Sequence, residues 1–135
     1  MLSRVSVLVM VLLFDQVSKY FFASMTILNQ GVGFGFGAEL ATQQNTILLL
    51  LVVIVASWYV ARCFWQRSEI ATGLFFGGAF SNLFDRVLVG GVRDWLPIPF
   101  TSVSNNLADW AIFLALTWMA WRTFADREGR RCAAC

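Results

Sequence analysis

Four apolar runs, at residues 5–23, 46–65, 70–89 and 105–124, leave few folds open to this chain. A helix of about 20 residues, at roughly 1.5 Å per residue, matches the ~30 Å of hydrocarbon in a bilayer. Each run therefore predicts a transmembrane helix. A soluble domain carries about 25% charged residues. This chain carries 13%, with a mean hydropathy of +0.68, which excludes an ordinary water-soluble globule. The expected fold class is an all-α membrane protein, a single domain over residues 1–135, with four transmembrane helices. A small extracytoplasmic surface platform with short β-structure completes it. The first run reads as a retained span rather than a cleaved leader, because Asp15 and Lys19 interrupt it and no small-x-small pattern follows.

The runs end in polar groups that a plain membrane span has no use for. Residues 77–95 read G-G-A-F-S-N-L-F-D-R-V-L-V-G-G-V-R-D-W. The stretch begins as a helix, gains Asn82, Asp85 and Arg86 within about one turn, breaks at Gly90–Gly91 and delivers Asp94 beyond the break. Ionisable groups in such a setting are expensive to desolvate and mark a functional site. In the first run, Asp15, Ser18 and Lys19 lie at i, i+3 and i+4 and share one face; an intrahelical Asp–Lys pair would by itself let both charges enter a membrane. Small residues at Ala71, Gly73, Gly77, Gly78, Ala79 and Ser81 predict close approach of a neighbouring helix. Asn29–Gly37, N-Q-G-V-G-F-G-F-G, alternates glycine with aromatic residues and is expected to form the surface platform. Ser104 or Asn105 is the expected N-cap of the last helix, with Asp109 in its first turns.

Basic residues orient the spans. Arg4, Arg62, Arg67, Arg122, Arg127, Arg130 and Arg131 fall on one side of a four-span arrangement, and Lys19, Arg86 and Arg93 toward the other. The positive-inside rule then makes both termini cytoplasmic. Asp15, Asp85, Asp94 and Asp109 gather near the outer face.

The chain has no histidine, and Cys63, Cys132 and Cys135 lack metal-ligand spacing, so Ser-His-Asp and Cys-His mechanisms are excluded and neither metal nor cofactor is expected. Nor does a net charge of +2 suggest nucleic acid. Two carboxylates that share one proton can still activate water. Asp94, just past a helix end, and Asp109, early in a helix, are the best-placed pair. Asp85, beside Arg86 and near Arg93, reads as a structural ion pair. A Ser18–Lys19 dyad is disfavoured, because adjacent residues on a helix point about 100° apart. A small transporter or channel using outer-face acids, and a non-catalytic assembly protein, remain the alternatives.

The blocks D-Q-V-S-K at Asp15–Lys19, N-Q-G-V-G-F-G at Asn29–Gly35, N-L-F-D-R at Asn82–Arg86, G-G-V-R-D-W at Gly90–Trp95 and N-L-A-D at Asn106–Asp109 occur in this order. They resemble the signature blocks of the lipoprotein signal peptidase family, signal peptidase II. The resemblance implies an aspartic endopeptidase of the bacterial cytoplasmic (inner) membrane that cleaves signal peptides from prolipoproteins just before a diacylglyceryl-modified cysteine. It implies Asp94 and Asp109 as catalytic residues, surrounded by Asp15, Lys19, Asn29, Asn82, Asp85, Arg86 and Asn106. Its partners would be lipidated substrate, membrane lipid and the inhibitor globomycin, with the enzyme acting as a monomer.

Overall fold

The computed structural model describes residues 3–30, 51, 54–55, 57–58, 68–101 and 103–132. Most of the second predicted span, and the glycine–phenylalanine segment after Asn29, lie outside the described residues; Leu51, Ile54, Val55, Ser57 and Trp58 are helical.

The described chain is mostly helical. Helix α1 (Arg4–Phe21) starts at Ser3, whose hydroxyl accepts the N–H of Ser6 at 3.2 Å. A short 3-10 turn at Ala23–Met25 leads to strand β1 (Ile27–Asn29). Helix α2 (Glu69–Val89) is capped by Ser68 and ends at Gly90, whose φ of 77° is left-handed and suits glycine. Strands β2 (Val92–Asp94), β3 (Leu96–Pro97) and β4 (Ser104–Asn105) follow, and helix α3 (Leu107–Cys132) closes the chain. β1 pairs antiparallel with β2 in the register Ile27↔Asp94, Leu28↔Arg93 and Asn29↔Val92, and β3 pairs with β4. At the tip of the second pair, Phe100 has a φ of 66° and a fully exposed ring.

The first and third apolar runs coincide with α1 and α2 to within two residues. α3 begins later than expected and runs further, because Ser104–Asn105 is taken up in pairing with Leu96–Pro97. The cap is accordingly Asn106 rather than Ser104 or Asn105: its Oδ1 accepts the N–H of Asp109 at 2.9 Å.

α2 is the central helix, packed against α1 on one side and α3 on the other. Its glycines set the spacing. A Cβ on Gly73 would lie 2.6 Å from Val7 Cβ, and one on Gly77 would lie 2.8 Å from the Leu8 carbonyl oxygen. A Cβ on Gly78 would strike the Ala108 carbonyl of α3. The small residues thus serve helix packing, as their spacing predicts. Phe75, Phe76, Ala115 and Ile54 form an apolar cluster beside these contacts.

Burial runs opposite to that of a water-soluble protein. The largest fully buried side chains are Lys19, Asn106, Asp15, Asp85, Asp94 and Ser81. Leu13, Phe14, Val17 and Phe21 of α1, Phe84, Val87 and Leu88 of α2, and Phe113, Trp118 and Trp121 of α3 face outward. Among the described residues no helix is long and apolar enough to cross a membrane. The reason lies in the same inversion: α1 carries Asp15 and Lys19, and α2 carries Asn82, Asp85 and Arg86, within their apolar lengths.

Candidate active site

The inward polar groups form one connected network across the three helices and β2. In α1, Asp15 and Lys19 are one turn apart, and Lys19 Nζ lies 2.6 Å from Asp15 Oδ2, the intrahelical pair that their spacing predicts. Lys19 also reaches α2, at 2.9 Å from Asp85 Oδ2, and donates to Asn82 Oδ1 at 3.3 Å. Both side chains of the Asp15–Lys19 pair are fully buried. Asp15 binds all three helices together: its Oδ2 accepts from Ser81 at 2.7 Å, and its Oδ1 accepts the backbone N–H of Ala108 at 2.9 Å.

Within α2, Ser81 and Asp85 form one i,i+4 row turned to α1, and Asn82 and Arg86 form the next row. Asp85 is held by Lys19 and by Arg93 Nη2 at 2.6 Å. Asp85 is thus ion-paired with cations from α1 and β2: Arg93 is one of the two arginines its sequence position suggests, and Lys19 was not anticipated as its partner. Arg86, the neighbour of Asp85 in sequence, is buried within electrostatic range of Asp109, Asp94 and Asp85.

Asp94 ends β2, where the β1–β2 pairing carries it inward. Its two oxygens accept from two amides, Oδ2 from Asn29 at 3.0 Å and Oδ1 from Asn106 at 2.6 Å. Asp109 sits in the first turn of α3, and its Oδ1 accepts from Asn82 at 2.7 Å. Asn106 bridges the pair: one end of its amide donates to Asp94 while the other accepts the N–H of Asp109. Burial raises the pKa of Asp94 above the ordinary carboxylate value, opposed by the amides of Asn29 and Asn106 and the charges of Lys19 and Arg86. The structure thus brings all nine expected residues, Asp15, Lys19, Asn29, Asn82, Asp85, Arg86, Asp94, Asn106 and Asp109, into one neighbourhood.

Ser18 is not a nucleophile aimed by Lys19. It donates to the Asp15 carbonyl at 2.8 Å and accepts from Trp95 Nε1 at 3.2 Å, and Trp95 stacks on Phe22. Gln16 and Ser81 are members of the network that sequence reasoning passed over. Gln16 donates to Ser81 Oγ at 2.8 Å and to Asp85 Oδ1 at 3.0 Å. Its position three residues before Lys19 was the available signal.

Fold and site together define a small helical bundle that keeps an amide-held carboxylate pair inside an apolar exterior. A family model described as signal peptidase (SPase) II matches residues 7–125, and the chain belongs to that family. It is 34% identical over 108 residues to a lipoprotein signal peptidase of Azoarcus sp. (strain BH72), covering 75% of this chain and 61% of that relative. It is 28% identical over 149 residues to one from Pseudomonas syringae pv. tomato (strain ATCC BAA-871 / DC3000), covering 89% of this chain and 84% of the relative. A bacterial membrane enzyme solved by the in meso method at 2.3 Å resolution superposes with a TM-score of 0.75 and 22% identity, over 93% of this chain and 90% of that one. Neither family nor relatives support the transporter alternative.

Proposed function

We propose that this protein is an aspartic endopeptidase of the bacterial inner membrane that removes signal peptides from prolipoproteins, cutting before the lipid-modified cysteine. The observation that carries the reading is the bridging of Asp94 and Asp109 through Asn106. Asn106 joins the Asp94 carboxylate to the backbone of Asp109 and so fixes the two residues beside each other, and two carboxylates close enough to repel share a proton. The ionised member takes a proton from water, which attacks the scissile carbonyl; the protonated member donates to the carbonyl oxygen. The member that took the water's proton then passes it to the leaving amine, while the other recovers its own proton as the tetrahedral intermediate collapses. Arg86, within electrostatic range of both, limits their repulsion.

The inverted burial supports a bundle set in lipid. We read it as a four-span monomer, with the distribution of arginines supporting cytoplasmic termini and a site near the outer face. A lipidated substrate would then reach the pair from the bilayer, with its acyl chains along the apolar outer faces of the helices. Globomycin is the expected inhibitor because it would compete for that approach.

The test is cleavage of a lipidated precursor peptide by purified protein in detergent. Asp94→Asn or Asp109→Asn should abolish cleavage in folded protein, and wild-type turnover by either would refute the reading.

A further inference from the structure

We propose that Arg93 is a positioning residue for Asp94, a clamp that seats β2 on the helices; this rests on the carboxylate-pair reading above. Arg93 immediately precedes Asp94, and side chains alternate across a strand, so the two point to opposite faces. On its face Arg93 makes three contacts with the helices. Its backbone N–H donates to Asp85 Oδ2 at 3.0 Å, and its Nη2 donates to Asp85 Oδ1 at 2.6 Å and to Gln16 Oε1 at 2.7 Å. Asp85 and Gln16 are in turn tied to each other, and Gln16 to Ser81. The residue next to the reacting carboxylate is thereby fastened to α1 and α2 at once.

The β1–β2 pairing alone is a weak support for such a position. It is three residues long, and a short two-stranded ribbon is marginally stable by itself. Without the side chain, β2 keeps only its strand pairing and one backbone bond to Asp85, a looser hold that lets Asp94 shift away from Asn29 and Asn106. Misplacement of a reacting group by about 1 Å costs on the order of 10²-fold in rate. Both side-chain bonds leave the single nitrogen Nη2, so lysine keeps the charge and can offer donors to both acceptors, but its shorter, unguided ammonium does not reach the position of Nη2 and reproduces the clamp only in part.

The pH dependence carries a second signature. Asp94 is faced by Lys19 from α1, Arg86 from α2 and Asp109 from α3, and its amide contacts favour the ionised form. A strand that drifts off those amides leaves Asp94 harder to ionise, so the acid limb of the activity profile moves to higher pH.

Arg93→Met and Arg93→Lys, purified beside wild type and Asp94→Asn, are assayed on the lipidated precursor, with turnover normalised to folded protein. Expected for Arg93→Met are a kcat lower by about 10- to 100-fold, a KM within about threefold of wild type, and an acid limb shifted upward. Arg93→Lys should recover part of the kcat and part of the shift. Wild-type kcat and pH profile in folded Arg93→Met would overturn the proposal. So would a loss of folded protein with an unchanged profile in the molecules that remain. If Arg93→Met does not fold, Arg93→Lys decides alone: an unshifted profile with full kcat overturns the clamp. Turnover by Asp94→Asn would instead mark the failure of the carboxylate-pair reading.

Discussion

Asn106 does two jobs with one side chain, and the orientation of its amide follows from the first. Because the Oδ1 end accepts a helix N–H, the Nδ2 end must face Asp94. Asn106→Asp would replace that donor with a carboxylate against Asp94, and should leave the helix cap intact while lowering turnover. The check is a near-unchanged melting temperature beside a cleavage rate reduced by at least tenfold. For the pair itself, Asp94→Asn and Asp109→Asn should each cost about 10²- to 10⁴-fold, with the double variant scarcely worse than either, because members of one catalytic unit are not additive. The buried Asp94 titrates above the ordinary aspartate value of about 4. Activity should therefore already fall, as acid protonates the working base, at a pH where an exposed aspartate is still ionised. A rate flat down to about pH 4 would contradict this.

Glycines and apolar runs decide how the elements meet. Gly73 and Gly78 both lie on α2 in tight helix contacts, but only Gly78 abuts the residues that lead into Asp109. Ala at either position overpacks and should cost roughly 1–3 kcal/mol of stability. Gly73→Ala should keep its activity per folded molecule, whereas Gly78→Ala should lose most of it, as thermal melts beside cleavage assays will measure. Asp85→Asn leaves buried Lys19 without one of its two carboxylates and Arg93 without its ion pair, a loss of about 3–5 kcal/mol. The lengths of α1 and α2 were legible in sequence because each is a long, nearly unbroken apolar run of about 20 residues. Short β-structure was expected in a surface platform from Asn29 onward, but the positions of β1 to β4 were not legible, since two- and three-residue elements have no period to read. Asp94 and Asp109 were legible because helix ends and charge placement are local properties. The clamp was not, because Gln16 and Arg93 stand 77 positions apart and only the fold brings them together.

At the scale of the whole molecule, charge is enclosed and oil is displayed. A reporter fused after Ala125 should be cytoplasmic, and one inserted at Phe100 should be exported; the reverse outcome at Phe100 would invert the proposed orientation. The enclosed charge also imposes an order of assembly. Ala108, in the first turn of α3, gives its N–H to Asp15, a residue of α1 that lies 93 positions earlier. The orphan N–H groups that open any helix must find acceptors, and here the last helix borrows one from the first. A contact between the first and the last described helix cannot form until the start of α3 has been synthesised, so the buried network can be completed only after α1 and α2 have already been made.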